Sequence, residues 1–401
     1  MKKLWWLSFA KLRASWGRSG QKFQEPYLAL GTLSETDVFN GTAGLVPAAL
    51  ANKDLTWEKS DQYDVGLDLQ VLDYRLKFKL DYYYKYSSNL LMQKYLPGNF
   101  FYTDKVWDNI SAISNEGIEF DVQADLIRSK DLNLSVGLNV SHNRNLFRKT
   151  DNGEDLNDKV LGRPVYGIYT YQDEGIVKDE SQIPYHYSQT GVRMPLYFVN
   201  PNYPLRVGGR KIKDQNMDGK IDNADLYYAG SPLPSAYGGV NAHLDWKGFN
   251  VDVLFSYVLG RKVMNMVQNS AFTFNKSVNP LMAYFKASDY WSKDNPNATK
   301  PALEFADPGY LGHFDGNVDS NIENISFLRL KQLVLGYTLP AAWFKSKFVK
   351  SVNVYLSGEN LFMLSNYTGL DPEVIDPYTG KDDGSQYPLN RKLTFGINVK
   401  F

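Results

Sequence analysis

Between residues 116 and 143 apolar and polar side chains alternate with a period of two. Ile118, Phe120, Val122, Ala124 and Leu126 fall on one face, and Glu119, Asp121, Gln123 and Asp125 on the other. After a short break at 128–131 the pattern resumes. Leu132, Leu134, Val136, Leu138 and Val140 now oppose Asn133, Ser135, Gly137, Asn139 and Ser141. A strand turns its side chains over at every residue, so the stretch predicts an antiparallel hairpin with one apolar and one polar face. The same pattern recurs at 4–16, 57–70, 75–86, 237–246, 249–259, 322–339, 352–362 and 389–401, which brings the count to ten strands.

The connections carry as much information as the strands. The breaks at 72–74, 128–131 and 247–248 are tight, and a somewhat longer link begins at Pro340. The others, 17–56, 87–112, 146–236, 260–321 and 364–388, are long, and short and long alternate along the whole chain. An up-and-down meander with short turns at one end and long loops at the other is the layout of outer-membrane barrels. A ten-residue strand rises about 33 Å, and a tilt near 45° leaves about 23 Å, close to the apolar band of such barrels. The expected fold is therefore all-β: an antiparallel up-and-down transmembrane barrel, present as a partial, open barrel of about ten strands with long extracellular loops. Ile118, Phe120, Val122 and Leu126 are expected to meet lipid, and Glu119, Asp121, Gln123 and Asn139 to line the lumen. The alternative is a soluble β-sandwich or adhesin-type protein that binds glycans through its loops.

Composition narrows the chemistry. The 401 residues carry 44 basic and 44 acidic side chains, so no basic excess points to nucleic acid. No cysteine is present, which removes disulfides, thiolate metal sites and cysteine nucleophiles. No apolar run reaches 18 residues, so no transmembrane helix is expected, and the mean hydropathy of −0.40 is compatible with strands that show lipid only every second residue. The first ten residues have too short an apolar run, and no cleavage site, to be a signal peptide; they read as the start of a strand. The last strand alternates Leu393, Phe395, Ile397, Val399 and Phe401 against polar or small residues.

The search for catalytic motifs is negative, and the four histidines (His142, His186, His243, His313) are scattered, so no enzyme is expected. A metal-dependent hydrolase fails for lack of a base or an open coordination position. One loop does carry metal-ligand spacing. Asp214, Asn216, Asp218, Lys220, Asp222 and Asp225, with Gly219, match positions one, three, five, seven, nine, twelve and six of a calcium loop, Lys220 through its backbone carbonyl. Such a site would hold a structural Ca2+ and stiffen a long loop. Without metal the same residues make an acidic Asx-turn loop. The loops are also rich in aromatics: Phe100, Phe101, Tyr102 and Trp107; Tyr166, Tyr169 and Tyr171; Tyr185, Tyr187, Tyr197 and Phe198; Tyr284, Phe285, Tyr290 and Trp291. They suit stacking on sugar rings or a partner, or packing within the loops themselves.

Several segments resemble the C-terminal part of the SusC/RagA family of TonB-linked outer-membrane transporters of Bacteroidota. They are Lys11 to Gly20; Asp54-Leu-Thr-Trp-Glu-Lys-Ser60 with Gly66-Leu-Asp68; the acidic loop and following strand from Asp214 to Gly248; Phe327 to Pro340; and Leu356 to Phe362 with Tyr367, Gly369 and Asp371-Pro-Glu373. The resemblance covers essentially all 401 residues. It implies a single unit, residues 1–401, forming the last ten strands of a larger barrel, with the family's signal peptide, N-terminal extension and plug absent. It also implies TonB-dependent import of glycans or peptides at the outer membrane. A SusD-like surface lipoprotein would cover the long loops, above all 146–236 and 260–321, and TonB-ExbB-ExbD would act through the missing N-terminal part. The piece alone is expected to be inactive.

Overall fold

The computed structural model describes residues 6–22, 27, 29–39, 42–96, 105–155, 159–188, 190–198, 201–267, 286–302, 317–340, 343–344 and 348–401. Ten long strands form one sheet: β1 (Leu7–Gln21), β2 (Glu58–Val71), β3 (Leu76–Tyr95), β4 (Lys105–Arg128), β5 (Leu132–Lys149), β6 (Ala236–Trp246), β7 (Phe249–Asn265), β8 (Ile322–Thr338), β9 (Ser351–Ser365) and β10 (Lys392–Lys400). Each pairs antiparallel with the next in sequence, and β1 and β10 end the sheet without pairing to each other. The wall is an open barrel segment, and all ten expected strands are in it.

Register explains why the two faces stay distinct. Ile127, Leu134, Leu244, Val251, Leu335, Leu356 and Phe395 are successive cross-strand partners, an apolar row that crosses β4 to β10. Leu12, Leu67, Leu80, Phe120 and Val140 form another from β1 to β5. A slip of one residue would turn the charged set outward on every strand, so the apolar environment outside the wall fixes the register. The rows stand bare: Leu12 is 74% and Phe395 67% exposed. Among the described residues the other sheets are two-stranded pieces within the connections, and none covers this face. The sandwich alternative is overturned on that ground.

The turns at one end are short for local reasons. Lys247 (φ 46°) and Gly248 (φ 91°) are both left-handed, the geometry of a two-residue type I′ hairpin turn, whose twist matches that of the strands. At the other end the strands run well past their expected limits. β3 reaches Tyr95 and β4 begins at Lys105, so most of the expected loop 87–112 is strand. Bulges at 88–91, with Asn89 at φ 55°, reset the side-chain parity there and erase the period-two signal. A bulge between Asp125 and Ile127 does the same lower down: Ile127, not Leu126, continues the apolar row, and both are exposed.

The long connections fold on themselves. In the first, Thr32–Phe39 pairs with Thr42–Ala49. Between β5 and β6, Ile168–Thr170 pairs with Tyr227–Gly230, Asp173–Ile176 with Arg210–Ile212, and Tyr185–Tyr187 with Arg193–Pro195. A core of Tyr171, Leu196, Phe198, Leu205, Ile212, Ile221 and Val318 lies among them. Val263, Ile325 and Ile375 form a smaller one beneath the last connection.

Candidate functional site

The face opposite the apolar rows is a lattice of paired charges. Lys11, Asp68, Lys79 and Asp121 are successive cross-strand partners of alternating sign. Arg13 forks onto Asp68 at 3.0 and 2.9 Å and reaches Asp81 at 2.8 Å. Gly66 makes that possible, because a Cβ there would lie 2.3 Å from Asp81 Oδ1 and 2.6 Å from Arg13 Nη2. Tyr83 lies over Gly117 and donates to Asn143 at 3.1 Å. Asn139 accepts from the Gly239 amide at 2.8 Å. The expected lining residues Glu119, Asp121, Gln123 and Asn139 all belong to this face. His243 is held by Asp252 at 2.5 Å and Asp245 at 2.9 Å, a hydrogen-bonded lining residue of the same face. On the outer face instead, where both share the parity of Leu12 and Leu67, Arg18 forks onto Asp61 at 2.7 and 3.0 Å.

Side-chain chemistry marks the membrane boundaries on the outer face. On the loop side one row reads Trp16, Tyr63, Tyr84, Glu116, Arg144, and Glu116 and Arg144 pair at 3.5 Å. Interfacial aromatics followed by an outward-facing ion pair belong at a water boundary. On the turn side Trp246, Phe249 and Tyr337 form a ring cluster with centroids 6.2 and 4.6 Å apart. From Phe249 to Leu259 the strand rises about 34 Å, or about 24 Å along the membrane normal at a 45° tilt, close to a barrel's apolar band. The parts of β3, β4 and β5 beyond the Glu116–Arg144 row stand outside it.

Above the wall the two longest connections make one body. Segment 317–321, from the connection after β7, is built into the connection before β6. Tyr171 donates its amide to Asn317 at 3.0 Å, and Asp319 accepts from the Asp173 amide at 3.0 Å and from the Tyr227 hydroxyl at 2.7 Å. Arg210 pairs with Asp173 in the interior. Burial, with the Asp319 carboxylate beside it, pushes the Tyr227 phenol up to about 12. Burial likewise raises Tyr290 and lowers Lys300.

Two arginines fasten the last connection, 366–391. Arg261, buried at the loop end of β7, donates to the carbonyls of Pro232 (3.0 Å), Pro372 (3.3 Å), Ile375 (3.1 Å) and Asp376 (3.0 Å). Arg329, buried on β8, pairs with Asp371 and with Glu373 at 2.7 Å, and Lys331 also pairs with Glu373. In the sequence Arg329 and Lys331 lie within the stretch Phe327 to Pro340, about forty residues from the Asp371-Pro-Glu373 triplet. Opposite charges flanking a proline were the available signal. Arg261 carried none, because its partners are main-chain carbonyls.

The calcium-type loop folds as a chain of Asx turns. Asp214 accepts from the Met217 and Gly219 amides (2.7 and 2.9 Å), Asn216 from Asp218 (3.0 Å), Asp218 from Lys220 (3.1 Å) and Asp222 from Ala224 (2.9 Å). Asp225, fully buried, accepts from the Gln215 and Asp222 amides, both at 2.8 Å, and burial raises its pKa. The Lys220 ammonium lies 2.5 Å from Asp222 and 3.7 Å from Asp218. That contact lowers the Asp222 pKa and raises that of Lys220. Among the described residues no three acidic or histidine side chains converge as metal ligands. Of the loop aromatics, Tyr171, Phe198 and Tyr290 are core, whereas Tyr185 and Tyr187 are exposed. Phe100, Phe101, Tyr102, Tyr284 and Phe285 lie outside the described residues.

Comparison with known proteins gives one answer. The family model "TonB dependent receptor-like, beta-barrel" matches residues 5–361. TonB-dependent receptor P3 of Formosa agariphila is 29% identical over 98% of this chain and 39% of its own length. TonB-dependent receptor SusC of Bacteroides thetaiotaomicron is 27% identical over 98% of this chain and 38% of its own. The RagAB peptide transporter structure superposes over all of this chain and 42% of that chain, with a TM-score of 0.74 at 22% identity. The chain thus spans about two fifths of the length of the relatives it matches. The family is one of transporters, not of enzymes. A wall apolar outside and ion-paired inside, with a family match along most of its length, belongs in the outer membrane: this chain is a member of the TonB-dependent receptor β-barrel family.

Proposed function

We propose that this chain is the C-terminal wall of a TonB-dependent importer of the SusC/RagA type, carrying oligomeric glycans or peptides across the outer membrane. The observation that carries the reading is the two-faced wall, whose apolar rows run unbroken on one side while paired charges fill the other. The paired face lines the path. The body built from the connections before β6 and after β7 forms the mouth and seats a SusD-like surface lipoprotein. TonB-ExbB-ExbD supplies energy through protein outside these 401 residues. Within this reading the 401 residues alone do not transport, because the free edges of β1 and β10 leave main-chain groups unpaired in lipid. Deleting the gene should abolish growth on one class of oligosaccharide or peptide, and inactivating TonB should reproduce the loss. Normal uptake of every such nutrient by both strains would sink the proposal. Uptake by liposomes holding residues 1–401 alone would sink the claim of inactivity.

We further propose that loop 214–225 exchanges its own ammonium group for a calcium ion. Its donor types suit a hard cation, and Lys220 already places a positive charge between Asp218 and Asp222. Terbium luminescence should saturate with a dissociation constant on the order of 10⁻⁴–10⁻³ M and tighten in Lys220→Ala. Terbium emission that rises without saturation, alike in both proteins, would refute it.

A further inference from the structure

Within the loop body one hollow is unused by the reading above. It measures about 560 Å³ and is lined by Glu180, Ile183, Tyr185, Arg193, Pro195, Arg206 and Val207. That size lies within the range of preformed small-ligand sites. Three hydrogen-bonded pieces of chain frame it. The first is the 3-10 turn Glu180–Gln182, capped by Asp179, which accepts from the Ser181 amide at 2.9 Å. The second is the hairpin of Tyr185–Tyr187 and Arg193–Pro195. The third is the turn closed by the Gly209 amide on Arg206 O at 3.0 Å. Behind them lie the core residues Leu196 and Leu205, joined by a main-chain hydrogen bond of 2.7 Å. The walls are thus set before any ligand arrives.

The chemistry of the lining is specific. Ile183, Pro195 and Val207 give an apolar floor. Arg193, Arg206 and Glu180 supply the charged groups of the lining. The Arg193 guanidinium lies over the Tyr185 ring, its central carbon 3.7 Å from the centroid, and no carboxylate is paired with it among the described residues. The ring contact positions the group, and a guanidinium so held can recognise a planar oxyanion in two-point fashion. Tyr187, 64% exposed, meets Tyr185 edge-on at 5.6 Å and extends the aromatic surface beyond the rim.

We propose that this hollow is a recognition site for the carboxylate group of an oligomeric cargo, with Arg193 gripping the carboxylate, Tyr185 holding Arg193 in place and the apolar floor taking the adjoining residue or ring. The inference rests on the import reading for its cargo but not for its test, which measures binding alone. The protein is extracted from outer membranes in detergent as the cell makes it. It is titrated with trigalacturonate and with N-acetyl-trialanine, each beside a neutral counterpart, maltotriose and N-acetyl-trialanine amide. At least one carboxylate probe should bind more tightly than its neutral counterpart. Arg193→Gln should weaken that probe by about tenfold to a hundredfold, the loss expected when a charge-assisted hydrogen-bonded pair is removed. Arg193→Lys should recover only part, because it restores charge without the planar fork. Which acid responds separates a saccharide carboxylate from a peptide terminus. Equal affinity for charged and neutral probes, or an unchanged affinity in Arg193→Gln, overturns the proposal. Unaltered migration of each variant without boiling confirms that it is folded.

Discussion

The wall and the loop body bury apolar side chains in opposite ways. In the loop body, and at the strand ends beneath it, they are packed by protein: Phe147, Ile221, Val263 and Ile325 have no exposed surface. Along the lower wall the apolar residues have neighbours only within their own sheet, and Leu12, Leu393 and Phe395 are each more than two thirds exposed. One chain therefore relies on two solvents. The upper part follows the rules of a water-soluble domain, where a core must be supplied by sequence. The lower part leaves its covering to lipid, so its sequence need only alternate.

Mutations should break this contrast in a definite order. Arg329→Ala leaves Asp371 buried without its cation, and removing one partner of such a pair costs about 3–5 kcal/mol. The expected result is fast proteolytic cleavage within 366–391 while the wall keeps its heat-modifiable migration. Cleavage at the wild-type rate would show the clip to be dispensable. Ile221→Ala opens a cavity in the loop core, worth about 2–5 kcal/mol, and hydrogen exchange should rise across 168–230 but not across β8 to β10. Leu80→Lys places a charge on the outer face and costs about 2–4 kcal/mol at mid-membrane, whereas Lys79→Leu, one residue away on the inner face, should leave folding into bilayers almost unchanged. Equal effects of the two would erase the distinction between the faces.

Alkaline pH should separate the regions without mutation. The Tyr227 phenol is raised to about 12 in the folded protein, against about 10 for an unfolded tyrosine. The folded state therefore holds the proton more tightly. The stability this contributes is complete below pH 10 and is lost as pH climbs toward 12. Tyr227→Phe should flatten that slope in the loop body and leave the wall untouched. Smallest of all, Arg18→Ala removes an exposed pair and should not shift thermal unfolding measurably.

How much was legible in the sequence follows the same division. All ten strands could be read because lipid on one side and paired charge on the other force strict alternation, and the tight turns could be read from the breaks. The upper extensions of β3, β4, β5 and β7 could not. There both faces meet water or loops, and bulges such as that at 88–91 shift the parity. The loop body was hidden for another reason: Tyr171, Leu205 and Val318 come from separate stretches, and no local period announces their meeting. Of the site, residues 119, 121, 123 and 139 do fall on the face opposite the apolar rows, as the alternation indicated. The partnership of Arg329 with Asp371 and Glu373 needed the fold, and the Arg193–Tyr185 stack was not suspected.

Arg261 has a consequence for how such a protein can change. Its guanidinium holds the last connection by the carbonyls of Pro372, Ile375 and Asp376, groups that every amino acid possesses. An anchor of that kind is blind to side chains. Apart from Asp371 and Glu373, which Arg329 holds by their side chains, the segment it grips can exchange residues and still return to the same place, so this loop can vary while the wall beneath it stays as it is.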